Sequence, residues 1–229
     1  MFAEYPHLEA FVAGLVSGFL VSIPVGPINV TIIHEGAERG FKWGALIGAG
    51  SVLMEAIYCG IGFAGFSELF TTNIAKAILQ LASFALMSFL GFKYLLAKEV
   101  KTTSRGAERI EDRFQPHTAF MTGFVRTLGN PGVLLLWVAL SATFLSHEWV
   151  DPNWTSKSLC IAGVAMGGLV WFVVLSYVVS FGKRHLSDKS LLNMTRSAGG
   201  MLLVAAIALG YKLALLLADV VKGSGSPKL

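Results

Sequence analysis

Six long apolar runs, separated by short polar segments, organise this sequence. They lie approximately at residues 8–33, 43–66, 74–96, 119–145, 158–181 and 198–218. Each run reaches the roughly 20 residues that an α-helix needs to cross a hydrocarbon core about 30 Å thick. The pattern therefore predicts an all-α polytopic membrane protein with six transmembrane helices.

Two of these runs are interrupted by proline. The first contains Pro24 and Pro27 within the stretch Ile23-Pro-Val-Gly-Pro-Ile28, and the fourth contains Asn130-Pro131. Proline has no backbone N–H and clashes with the preceding turn, so it breaks a helix. In hydrocarbon, the freed backbone groups are tolerated only where they are buried in protein or line a water-filled cavity. We therefore expect broken helices in the first and fourth spans.

Each break is also a favourable place for a new helix to begin. Asn130 is a good N-cap and Pro131 suits the first helical position, and Gly26-Pro27 has the same form. The N–H groups and the positive dipole end of such a start attract a carboxylate, and the amides of Asn29 and Asn130 add further hydrogen-bonding groups. Paired breaks of this kind indicate a transport site. The alternative is two proline kinks that only ease helix packing.

The two halves of the chain resemble each other weakly. Phe11 to Pro27 carries small residues followed by Gly-Pro, and Phe120 to Pro131 carries Thr-Gly followed by Asn-Pro. Gly44-x3-Gly48 in the second run and Gly163-x3-Gly167 in the fifth allow helices to approach closely. Those faces serve either contacts within one chain or a homodimer. Chance spacing of small residues also produces such matches, so the repeat needs independent support.

With three spans per half, the halves enter the membrane from opposite sides and form an inverted repeat. We expect a single transmembrane domain over residues 1–229, with broken helices 1 and 4. Its inverted three-helix halves cover about 8–96 and 119–218, and a basic cytoplasmic loop at 97–118 joins them.

Composition and charge agree with a membrane protein. The chain is 54% hydrophobic and 14% charged, whereas soluble domains carry about 25% charged residues. The net charge of +4 comes from loops between the runs and gives no case for nucleic-acid binding. The loops after runs 1, 3 and 5 hold 11 Lys and Arg residues, against 4 on the opposite side. Because cytoplasmic loops are enriched in these residues, both termini are expected outside the cytoplasm.

Glu55 and Arg126 are the charged residues most suited to a site. Glu55 lies near the middle of the second run, where a charged group is costly and normally faces a cavity or a partner. It is expected to hold a substrate ammonium, to carry a coupling proton, or to pair with Arg126. Arg126 lies one turn before Asn130-Pro131. Its alternatives are a substrate carboxylate, Glu55, or the cytoplasmic interface.

The sequence offers no arrangement of catalytic groups. There is no Ser/His/Asp set, no His-Glu-x-x-His and no glycine-rich phosphate loop. Cys59 and Cys160 lie within apolar runs, which indicates small buried residues rather than a disulfide framework or a metal cluster. We expect a protein that is not an enzyme and that uses no cofactor or bound metal.

Several short elements occur at regular places along the chain. They are Pro24-Val-Gly-Pro-Ile-Asn29, Arg39-Gly40-x3-Gly44 followed by Glu55, Leu90-Gly91-Phe-Lys93, Gly123 to Asn130-Pro131, and Ala198-Gly199-Gly200 to Gly210-x-Lys212. Together they resemble the lysine exporter (LysE/RhtB) family of amino-acid translocators over nearly the whole chain. The resemblance implies six helices, a bacterial inner membrane and export of amino acids or similar solutes, with efflux driven by the proton or ion gradient.

Carried over residue by residue, the resemblance places the substrate site at Pro24, Gly26, Pro27, Asn29, Glu55, Asn130 and Pro131. One departure affects the substrate. The family usually has Lys directly after Asn-Pro, and here Gly132 follows. Arg126, at a position where the family is usually neutral, is a candidate to replace the missing cation. Lysine itself is therefore left open as the solute.

The sequence thus predicts a multi-pass secondary transporter of the bacterial inner membrane, with a small amino-acid-like solute and the lipid bilayer as its partners. One alternative is an exporter of metal or other cations from the same superfamily. Another is a membrane assembly protein or intramembrane enzyme without transport activity. An enzyme would need a nucleophile and a base at membrane depth, and Cys59 has no His in its own run.

Overall fold

The computed structural model describes residues 6–23, 26–66, 73–98, 113–114 and 117–181, together with scattered positions between 189 and 214. Every regular element in this part of the chain is an α-helix, which confirms the all-α fold. The helices are α1 (Pro6–Ser22), α2 (Pro27–Arg39), α3 (Phe41–Phe66), α4 (Asn73–Leu95), α5 (Ala119–Leu128), α6 (Pro131–Ser146) and α7 (Trp154–Phe181). Described positions between Thr195 and Ala208 are also helical.

Both interruptions in the apolar runs are real breaks. α1 and α2 meet at an angle of 72°, and α5 and α6 also meet at 72°. α3 and α7 are each long and apolar enough to cross a membrane alone, and the count rises to four if each bent pair is one broken span. The expectation of six spans and of an inverted repeat stays a prediction, because the last run falls partly outside the described residues.

Glycines bring pairs of helices into backbone contact. A Cβ atom placed on Gly14 of α1 would lie 2.1 Å from the carbonyl oxygen of Cys160 in α7, and one on Gly163 would lie 2.2 Å from that of Phe11. A Cβ on Gly123 of α5 would lie 1.8 Å from the carbonyl oxygen of Ile47 in α3. No side chain fits at such distances, so these positions permit close helix packing. The most extensive contacts in the protein join α1 to α7 and α3 to α5.

The Gly-x3-Gly faces pack within the chain. A Cβ on Gly167 would lie 2.1 Å from the carbonyl oxygen of Leu15, and one on Gly48 would lie 2.4 Å from the Cβ of Phe172. Of the two uses expected for these faces, the structure contains the contact within one chain.

α3 lies at the centre of the packing. One buried cluster joins Cys59 and Phe63 of α3 to Trp137 of α6 and Cys160 of α7. A second cluster joins Ile47 of α3 to residues of α2 and α7. α3 therefore lies against both broken helices, and the buried polar groups described below are arranged along it.

Candidate functional site

The first break ends α1 at Ser22 and begins α2 at Pro27. Gly26 occupies the N-cap position with an extended backbone (φ −105°, ψ −171°). Pro27 takes the first helical position, where its missing N–H costs no hydrogen bond. The expected helix start at Gly26-Pro27 is confirmed. Pro24, also expected in the site, lies outside the described residues.

Asn29 connects the two sides of this break. Its Nδ2 donates to the carbonyl oxygen of Ser22 at 3.0 Å, which satisfies an acceptor that the end of α1 leaves free. Its Oδ1 accepts from Nε1 of Trp171 in α7 at 2.9 Å. Asn29 is 3% exposed. The side chain therefore holds α1, α2 and α7 together through its bonds to Ser22 and Trp171.

The second break has a different set of partners. Asn130 caps α6 by accepting from the Gly132 N–H at 3.1 Å, and Pro131 is the first residue of that helix. The expected helix start is again confirmed. The carbonyl oxygen of Leu128, at the end of α5, accepts from the hydroxyl of Tyr58 at 2.9 Å. Tyr58 belongs to α3, one turn beyond Glu55, and was not identified from the sequence.

Glu55 is buried against the end of α5. It is 6% exposed, and its Oε1 accepts from the Ser51 hydroxyl at 3.1 Å. The Ser51 oxygen lies 2.8 Å from the Thr127 hydroxyl. Since Ser51 has a single proton, which it donates to Glu55, Thr127 is the donor in that second bond. A chain of two hydroxyls therefore connects the carboxyl to the last turn before the second break.

Trp137 of α6 completes the surroundings of the carboxyl. Its indole N–H lies close enough to Glu55 to interact with it, but it does not reach hydrogen-bond geometry. Within the described residues, Trp137 Nε1 is the buried side-chain polar atom that has no hydrogen-bond partner. A buried donor without an acceptor is costly, so this N–H is available to the adjacent carboxyl.

Arg126 connects the second broken span to the first. Its guanidinium donates to the Thr31 hydroxyl of α2, and that hydroxyl donates to the carbonyl oxygen of Pro27 at 2.7 Å. Arg126 is thus held at the first turn of α2, while Glu55 is bonded to Ser51. This arrangement gives no support to the pairing of Glu55 with Arg126 that the sequence left open.

The structure brings the expected site residues into two neighbouring groups. Glu55 lies beside the second break, and Arg126 extends from that break to the start of α2. Asn29 lies on the α7 side of the first break. The sequence reasoning missed Ser51, Tyr58, Thr127 and Trp137. The spacing of Ser51 and Tyr58 to Glu55, four residues before and three after, was available as a signal because such positions share a helix face.

Two broken helices, one of them beside a buried carboxyl, are an arrangement that many membrane solute transporters use at their binding site. The sequence profile of the LysE type translocators matches residues 19–213. The chain belongs to this family, and it is therefore a multi-pass membrane transporter and not an enzyme.

The chain is similar to relatives that are named for amino-acid export and to one that is named for chemotaxis. YcgF of Bacillus subtilis (strain 168), named as an amino acid efflux protein, is 26% identical over 207 residues, which cover 90% of this chain and 97% of YcgF. The chemotactic transduction protein ChpE of Pseudomonas aeruginosa is 25% identical over 79% of this chain and 87% of ChpE. The lysine exporter LysE of Corynebacterium efficiens is 22% identical over 79% of this chain and 89% of that exporter. No solved structure matches the chain.

Proposed function

We propose that this protein exports amino acids, or related small solutes with an amino and a carboxylate group, across the bacterial inner membrane. Export is secondary transport driven by the proton gradient. The observation that carries the proposal is the pair of broken spans, each bent by 72°. Family membership and the amino acid efflux name of a relative with full-length similarity support the class of solute.

The start of α2 is the better of the two helix starts for a solute carboxylate. Asn130 caps α6 with its own side chain, whereas Gly26 has no side chain with which to cap α2. A bound carboxylate therefore gains more at α2, from backbone N–H groups and from the positive end of the helix dipole. Arg126, held at Thr31 one turn into α2, adds a positive charge near that position.

The proposal also includes six membrane spans arranged as two inverted halves. During transport these halves rock against each other around the two helix breaks. The excess of 11 over 4 basic residues in alternate loops supports an orientation with both termini outside the cytoplasm. In this arrangement the solute binds between the α2 and α6 starts, at Pro24, Gly26, Pro27, Asn130 and Pro131, with its carboxylate at α2. Glu55 takes the coupling proton or the solute amine.

The test is transport by the purified protein in proteoliposomes. We expect gradient-driven accumulation of at least one labelled amino acid from a panel of acidic, neutral and basic ones. Glu55→Gln should abolish the accumulation, and Glu38→Gln, an exposed carboxylate in α2, is the matched control. Absence of amino-acid flux together with flux of divalent cations would instead favour the cation-exporter alternative.

A further inference from the structure

The polar groups around Glu55 form a buried compartment in the protein interior. Trp137 and Ser51 are fully buried, Thr127 is 1% exposed and Glu55 is 6% exposed. The compartment lies between α3, α5 and α6, whereas the guanidinium of Arg126 donates to Thr31 of α2. It contains a carboxyl, two hydroxyls and one indole N–H.

A solute ammonium does not fit this compartment as it stands. To bind the carboxyl it has to approach an oxygen to about 2.7–2.9 Å and bring its carbon skeleton with it. Because the side chains around the carboxyl are themselves buried, such a group would have to displace them to reach it. A proton carries no carbon skeleton, because it is transferred between hydrogen-bonded groups. The compartment also holds the donors that a carboxylate requires once the proton leaves.

We infer that Glu55 binds the proton that drives transport, not the solute amine, and that the Trp137 N–H stabilises its ionised form. This inference rests on the proposed transport function. It places the carboxylate of the solute at the start of α2 and the coupling proton at Glu55 of α3. Trp137 is a positioning residue, because it acts on the carboxyl and touches no solute.

The hydrogen bonds respond directly to the proton. In the ionised form, Thr127 donates to Ser51 and Ser51 donates to Glu55. The carboxylate then also offers a charged acceptor to the unpartnered Trp137 N–H. When a proton from water binds, the carboxyl becomes a donor and the hydroxyls of Ser51 and Thr127 reverse direction. The Trp137 N–H then loses the charged acceptor. Only the proton is transferred, and no covalent bond other than O–H forms or breaks.

Few other titratable groups lie near this carboxyl in the described part of the chain. Tyr58 of α3 donates to the Leu128 carbonyl, and Arg126 of α5 donates to Thr31. Cys59 of α3 lies one turn further along, in the same buried cluster as Cys160 of α7. The first titratable residue of α2 is His34, towards its solvent-exposed end, and α6 contains no titratable residue.

The experiment follows the carboxyl directly by infrared spectroscopy, in the whole protein in nanodiscs and with no amino acid present. We expect a C=O band of a protonated carboxyl that disappears as pH rises and that is absent in Glu55→Gln. In Trp137→Phe, which keeps an aromatic ring but removes the N–H, the midpoint of this titration should rise by about one pH unit. Trp149→Phe, at an exposed tryptophan, should leave it unchanged.

Thr127→Val is a second variant that removes a donor while keeping the shape of the side chain, and it should shift the midpoint in the same direction. If Trp137→Phe does not fold, the titration midpoint of Thr127→Val still tests whether these donors stabilise the ionised carboxyl. An unchanged midpoint in the folded variants would overturn the role of Trp137. Loss of the protonated band on addition of ethylammonium at constant pH would overturn the proton assignment, since it would show that an amine reaches Glu55. Because the readout needs no transport, failure of the proposed solute class leaves it intact.

Discussion

The side-chain amide of Asn29 donates to the carbonyl oxygen of Ser22 at 3.0 Å, across the gap between α1 and α2. The second break has a counterpart in the bond from the Tyr58 hydroxyl to the carbonyl oxygen of Leu128 at 2.9 Å. In each case a side chain from another helix or from beyond the gap satisfies a carbonyl that the break has freed. Both bends are thus stabilised by hydrogen bonds and not by proline alone.

We expect Asn29→Leu to destabilise the protein by about 1–3 kcal/mol for each buried group left without a partner. These groups are the Ser22 carbonyl, which is buried, and the Trp171 N–H, which is partly buried and should cost less. Thermal unfolding in detergent measures the loss. Trp171→Phe removes only the second bond and should cost less, so equal losses in the two variants would contradict a role for Asn29 at the break.

Tyr58→Phe should destabilise the protein by about 1 kcal/mol or more, because the Leu128 carbonyl loses its donor. The same unfolding measurement applies. Tyr177→Phe is the matched control, since Tyr177 is 60% exposed and its hydroxyl is remote from the break. An effect of Tyr58→Phe no larger than that of the control would show that water or another group satisfies the carbonyl.

Gly123→Ala should prevent stable folding, because its Cβ would lie 1.8 Å from the carbonyl oxygen of Ile47 and both atoms belong to packed backbone. Relief requires α3 and α5 to separate, which also disturbs the bond between Ser51 and Thr127. Gly65→Ala, with nothing within 4 Å of the new Cβ, is the control and should be tolerated. The measure is the yield of monodisperse protein after extraction in detergent.

Thr31→Val should weaken transport of the solute by lowering its apparent affinity, because Arg126 loses the hydroxyl that holds it at α2. Arg126→Ala should do the same more strongly, since it also removes the charge. The readout is the KM of proteoliposome uptake at constant pH. If Arg126→Ala left both transport and binding intact while Glu55→Ala abolished them, Arg126 would not replace the family's lysine that is missing at Gly132.

The pattern of the sequence was sufficient to predict the all-helical fold and the two helix breaks. Continuous apolar runs and the rule against proline inside a helix placed α2 at Pro27 and α6 at Pro131 correctly, because both effects are local. The side chain of Asn130 as a cap is equally local, since it bonds a residue two positions away.

The partners across helices required the structure. Nothing in the spacing of Arg126 and Thr31 indicates that they meet, because 95 residues separate them in the chain. The unsatisfied N–H of Trp137 beside Glu55 follows from how α6 packs on α3, and packing depends on many side chains at once. Ser51 and Tyr58 could have been predicted from the sequence, since their spacing to Glu55 places all three on one side of the same helix.

The glycine contacts also affect the order in which the protein is assembled. Gly14 of α1 has its close backbone partner, Cys160, in α7, nearly 150 residues further along the chain. The packing of α1 against α7 therefore forms only after the helices between them have been synthesised.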